Sequence, residues 1–236
     1  MNTAARSGQK STVKSQKSTV KSQKSRHRVL NVNFHDSLCL RASVFDQPHS
    51  LLRSILTEST VIAQTTQWIN SVVIGCNFCP FAAKALLRKS IRYVVWPEAT
   101  MENTLEVLLK ELCYLDDTDD IETTLIIFPN QFADFEEYLD LVDLAEALVA
   151  DQDYEGVYQV ASFHPDYCFS GADADDPANY TNRSMYPMLH ILREDSVTLA
   201  VDTFPDAEGI PDRNITFAQG KGLRYMQVLR AACLQG

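Results

Sequence analysis

Apolar positions fall at helical spacing from Ile55 through Ile62 and Ile69 to Val73, and neither Gly nor Pro interrupts them before Gly75. This pattern predicts a first helix of about five turns, at 3.6 residues per turn. A second, shorter helix is expected to start at Pro80, whose fixed φ and missing N–H suit a first helical position, and to run through Phe81-Ala-Ala-Lys-Ala-Leu-Leu. Ile91 to Trp96 is β-branched and aromatic and is expected to be a strand. Leu105, Leu108, Leu109 and Leu112 mark a helix ending in the acidic run Asp116 to Asp120, and Thr123 to Phe128 follows as a buried strand before Pro129.

The alternation then repeats. Phe135, Tyr138, Leu139, Val142, Ala145 and Val149 line one face of a helix closed near Gly156, and Val157 to Phe163 makes a third strand. After a polar stretch, Ser184 is placed to cap a helix through Leu192 with Pro187 in its first turn. Ser196 to Phe204 is β-rich in composition. Its apolar residues Val197, Ala200, Val201 and Phe204 nevertheless sit at i, i+3, i+4 and i+7, so a helix capped by Asp195 is expected. Tyr225, Met226, Leu229, Ala232 and Cys233 form the face of a final helix. The resulting expectation is an α/β fold: a small sheet of about three strands with crossover helices, and a helical C-terminal part.

Charge divides the chain. Residues 1–50 carry nine Lys/Arg against Asp36 and Asp46, leaving 12 basic and 29 acidic residues in 51–236. Residues 11–17 and 18–24 repeat Ser-Thr-Val-Lys-Ser-Gln-Lys without change, but with only Val13 and Val20 apolar the period of seven forms no coiled-coil seam. A basic, disordered tail over 1–50 and a single α/β domain over 51–236 are expected. The tail's Ser-rich start also fits an organelle transit peptide or translated upstream sequence. The acidic balance of 51–236 argues against nucleic acid and anionic membrane surfaces as partners, and no stretch approaches the length of a membrane helix. Cysteine usage and the missing secretory signal point to a cytoplasmic protein with reduced thiols. Oligomeric state is left open.

Candidate chemistry gathers after the third strand. Ligand sites in open α/β sheets lie beyond the carboxyl ends of strands, which favours His164 as a general base oriented by Asp166. A His-Pro-Asp turn that merely ends a strand is the alternative. The polar loop to Ser184 offers Asn179, Tyr180, Asn182 and Arg183 as ligand-binding residues, with Arg193 as a second guanidinium fork for a carboxylate or phosphate. His190 and Glu194, four apart on an expected helix, would share a face and could ligate a metal together with His164 and an aspartate. Cys79, in Cys76-Asn-Phe-Cys79-Pro80, would sit at a helix N-terminus that favours its thiolate, as a nucleophile, redox group or ligand. Buried structural cysteine is the plainer reading.

Several stretches together resemble a known family. Asn77-Phe-Cys79-Pro80-Phe81-Ala82, Gln159-Val-Ala-Ser-Phe-His164-Pro-Asp-Tyr167, Asp175-Asp-Pro-Ala-Asn-Tyr-Thr-Asn-Arg-Ser184 and Tyr186-Pro-Met-Leu-His190-Ile-Leu-Arg193-Glu194 are similar to the bacterial domain of unknown function 1415. The resemblance covers most of residues 60–236 and excludes the basic tail. It implies no reaction and names no cofactor. Cys76 departs from the family pattern, which weakens a Cys76–Cys79 redox pair. Three functions stay open: an enzyme or binding protein for a small anionic polar molecule at His164–Ser184, a metal- or haem-binding protein using His164, His190 and Cys79, and a non-catalytic interaction module.

Overall fold

A computed structural model describes residues 56–235; the basic tail, its repeat and Ile55 lie outside the described residues. Helix α1 spans Glu58–Trp68, and the side chain of Thr57 caps it by accepting from the backbone N–H of Thr60. It continues into a wider π turn, Ile69–Ile74, so the long amphipathic run is two helical geometries end to end. Helix α2 covers Ala82–Arg88 and starts two residues after Pro80. Strand β1 is Ile91–Val95. Helix α3, Met101–Asp116, opens on a reciprocal cap between Thr100 and Asn103, and leads to β2, Thr123–Ile127. Helix α4, Phe135–Asp151, is capped by Asp134 and leads to β3, Tyr158–Phe163.

The chain then departs from expectation. Residues Met188–Arg193 form a fourth strand, β4, where the sequence reading places a helix, and Ser184 is buried with its hydroxyl donating to Tyr186 O rather than capping anything. The sheet order is β1-β2-β4-β3. Strand β2 runs parallel to β1, and β4 lies antiparallel between β2 and β3. Thus β1, β2 and β3 share one direction. The misreading has a physical cause: Met188, Leu189 and Ile191 are buried in a central strand, so the strand lacks the polar alternation that would reveal a period of two.

Helix α5 follows directly as Glu194–Thr203, with Arg193 at the cap position and Asp195 inside the first turn. The C-terminal part is helical as expected but holds an extra helix, α6 at Ile210–Lys221, before α7 at Leu223–Ala232. Gly222 separates them with φ of 82°, a conformation open to glycine at little cost.

Two apolar layers flank the sheet. On one face Ile126, Leu189 and Ile191 pack with Leu108, Leu112 and Leu115 of α3 and Tyr138, Leu141 and Ala145 of α4. On the other, Leu125, Ile127 and Met188 pack with Val61 and Trp68 of α1 and Met226 of α7. Strand alternation decides the division: the cross-strand partners Leu125, His190 and Ala161 share the second face, while Thr124, Ile191 and Val160 occupy the row between.

Candidate functional site

The segment from His164 to Ser184 holds one short 3₁₀ turn, Pro177–Thr181, capped by the Asp176 side chain. Its polarity closes on its own main chain. Asn179 is fully buried and donates through Nδ2 to the carbonyls of Asp173 (2.9 Å) and Ala174 (3.4 Å). Asn182 donates to Ser162 O at 3.3 Å, and its own carbonyl accepts from His164 N. Arg183 places its guanidinium over the buried Tyr180 ring, 4.9 Å from the centroid, and donates to Tyr167 O and Ala174 O at 2.9 and 2.8 Å. Asn179, Asn182 and Arg183, which the sequence assigns to ligand binding, therefore satisfy main-chain carbonyls of this segment and of β3.

His164 is fully buried between the rings of Phe135 and Tyr138, at centroid distances of 5.1 and 5.0 Å. Its Nδ1 accepts from the backbone N–H of Asp166 at 3.0 Å, so the ring proton sits on Nε2, which donates to Phe132 O at 2.9 Å. Burial holds its pKa below the usual histidine value. Neither nitrogen is left for proton transfer, and Asp166, exposed, meets the ring through its backbone rather than its carboxylate. The bond to Phe132 has a further consequence: Phe132 adopts φ of 56°, a left-handed conformation costly for a bulky residue, and is clamped there by His164 and by its edge-on packing on Phe128.

Arg193 is likewise fixed to main chain. Its guanidinium donates to Leu115 O, Thr118 O and Ile121 O, at the end of α3 and just beyond it, a cation where the orphan carbonyls of a helix converge. The donors an anion would need are thus engaged. His190 and Glu194 do not share a helical face, because the first lies in β4 and the second opens α5. Among the described residues no group of three or more His, Cys, Asp or Glu is placed to hold a metal ion.

What the fold does bring together is a different set. Between the second face of the sheet, the end of α1 with its π turn, α2 and α5 lies a half-open cavity of about 320 Å³. Trp68, Phe81, Leu125 and Phe163 give it an apolar wall, and Cys79, Thr123, Gln159 and His190 are among its few polar residues. Three of the sequence candidates, Cys79, His190 and Arg193, therefore line one cavity, while His164, Asp166, Asn179, Tyr180, Asn182, Arg183 and Glu194 lie outside its lining.

The charged residues of the lining, Glu122 and Arg193, are engaged by the Ser90 hydroxyl and by main-chain carbonyls respectively. Burial pushes the Cys79 thiol up, outweighing hydrogen bonds from the backbone of Phe81 and Ala82, so the thiolate expected at a helix start is disfavoured. Helix α2 is also only two turns long and begins beyond it. Cys76 is buried, and its thiol too is pushed up by burial. Burial lowers the His190 pKa from its ordinary 6.5 to about 4.

This shift sets a testable pH dependence. Between about pH 6.5 and about pH 4 the unfolded chain binds a proton that folded His190 refuses, so acidification weakens the fold, by at most about 1.4 kcal/mol per pH unit. Above this window the stabilisation is fully present, and below it no further loss comes from His190. Urea denaturation at pH 7, 6, 5 and 4 is expected to show a smaller decline for His190→Leu than for wild type. Equal declines would exclude His190 as the titrating group.

Sequence reasoning missed Trp68, Thr123, Gln159 and Phe163 as site residues, although Gln159 stands as a polar residue on the row that Ala161 and Phe163 continue. That interruption of an apolar row was the available signal. Arg230 was missed as well: from the last turn of α7 it donates to Ser184 O at 2.8 Å and ties the loop's end to the C-terminal helices.

Residues 60–228 match the model of a family described as protein of unknown function DUF1415. No curated protein and no solved structure matches the chain.

Proposed function

The chain belongs to the DUF1415 family, and since that description names no activity, we propose from the geometry that the protein binds a small, predominantly apolar molecule in the cavity between the sheet, α2 and α5. The observation that carries this reading is the cavity itself: an enclosure of about 320 Å³, apolar over most of its wall and holding a few convergent polar groups, the usual make-up of a small-molecule site. Its volume lies at the small end for such sites, which favours a ligand of one or two rings. The expectation of an anionic ligand at the polar loop loses support because Arg183 and Arg193 donate to carbonyls. Free thiols at Cys76, Cys79, Cys113 and Cys233 fit a reducing, cytoplasmic setting, and no helix among the described residues is long and apolar enough to cross a membrane.

The test is a fragment set divided into neutral ring compounds and small organic anions, followed by ¹H–¹⁵N chemical shifts on the full chain. Neutral compounds are expected to move the amides of Ala161, His190 and Ala200. Ala200→Phe, which fills the cavity from α5, should lose these shifts and keep a melting temperature equal to or above wild type, because a void is filled. Hits confined to anions, with shifts clustered in 164–184, would overturn the reading.

A further inference from the structure

The cavity wall carries one hydrogen-bonding atom whose polarity the fold determines and whose partner it does not supply. Thr123 Oγ1 lies 2.5 Å from Ile191 O and 2.7 Å from His190 Nε2. A carbonyl oxygen can only accept, so the single hydroxyl proton of Thr123 goes to Ile191 and its oxygen accepts from His190. The proton of the neutral ring is thereby held on Nε2. Nδ1 is then an acceptor, and it has no hydrogen-bond partner among the described residues. The register explains how the pair arises: Thr123 faces Leu192 across β2 and β4, one step along the same face from Leu125 and His190, so the hydroxyl reaches the ring diagonally.

From this we propose that the ligand is a neutral, ring-bearing molecule with an N–H or O–H group, of the indole or phenol class, which donates to His190 Nδ1. The inference rests on the cavity being the binding site and adds the chemistry that selects the occupant. An acceptor facing a largely apolar enclosure rewards a ligand that brings its own donor and discriminates against one of the same shape without it, because the acceptor would be left unpaired. The walls suit a flat ring: Trp68 meets Phe163 edge-on at 5.3 Å, and Phe163 lies 5.9 Å from the His190 ring, so aromatic surfaces lie beside the histidine. An anion gains nothing here, since Arg193, the guanidinium on this wall, already donates to backbone carbonyls. Gln159, one step along the face from Ala161 and the His190 row, offers an amide for a second polar group at the other end of the ligand.

Indole and N-methylindole separate the possibilities, the second keeping the ring and losing the donor. Titrated into the full chain by calorimetry and by ¹H–¹⁵N shifts, indole is expected to bind about three- to tenfold more tightly, the ratio of one net hydrogen bond. His190→Phe retains a ring and removes the acceptor, and should bring the two probes to equal affinity. Should that variant fail to fold, Thr123→Val releases the proton from Nε2 and is expected to narrow the ratio. Equal affinities in wild type, or a preference that survives His190→Phe in a folded protein, would overturn the donor selection while leaving the cavity as a site. Absence of binding by both probes at millimolar concentration would overturn the cavity reading, and this proposal with it.

Discussion

His164→Ala is expected to destabilise the protein by about 3–5 kcal/mol, because it combines a buried void with two orphaned backbone groups. The ring fills space between Phe135 and Tyr138. Removing it leaves Phe132 O and Asp166 N without their partners and withdraws the clamp from a phenylalanine held at φ of 56°. The neighbouring Tyr138 hydroxyl, which donates to Met188 O and accepts from Phe163 N, would lose its packing support at the junction of β3 and β4. His164→Gln, whose amide reaches toward the position of Nε2, should recover part of the loss. Urea midpoints for the two variants measure this directly. An alanine variant within about 0.5 kcal/mol of wild type, the range of an unremarkable surface change, would show that the histidine is not structural and would return it to candidacy as a general base.

Arg193→Met should cost about 2–4 kcal/mol, since the charged donors serve carbonyls at and beyond the end of α3, whose own last turn carries no basic residue. Lysine keeps the charge but not the planar fork, so Arg193→Lys is expected to fall between wild type and methionine. Amide hydrogen exchange adds a local readout: protection in the segment from Leu115 to Glu122 should fall more than protection in α4. If Arg193→Met instead melts like wild type and loses affinity for an organic anion, the guanidinium is a ligand contact and its bonds to carbonyls are incidental.

These two residues show why polarity in a sequence is an ambiguous signal. A loop that leaves a sheet without regular structure must satisfy every buried main-chain group with side chains, and it does so with the same Asn, Asp, His and Arg that build ligand sites. Asn179, Asn182 and Arg183 look alike under either purpose until their partners are known, and here the partners are carbonyls of the same loop and of β3. The cavity was hidden for the opposite reason. Its wall is made of Trp68, Leu125 and Phe163, residues whose apolar character reads as core, and only a missing neighbour distinguishes a cavity wall from a packed interior.

Local pattern alone determined much of the architecture: α3 and α4 fall where their periodicity places them because each has one buried face and one wet face, α5 and α7 follow their helical spacing, and β2 and β3 are marked by their β-branched and aromatic runs. The alternation of strand and helix likewise carried the α/β class. The Met-Leu-His-Ile-Leu-Arg run of β4 has neither polar alternation nor the β-branched signal that marks β2, so it reads as helical and only its insertion between β2 and β3 decides that it is a strand. That insertion also places His190 on the sheet face beside Thr123 rather than on a helix with Glu194, and brings it into the lining of the cavity that Cys79 shares. Which polar atoms are satisfied and which remain free is a property of distances between segments far apart in the chain, and those distances exist only once the sheet has closed its register.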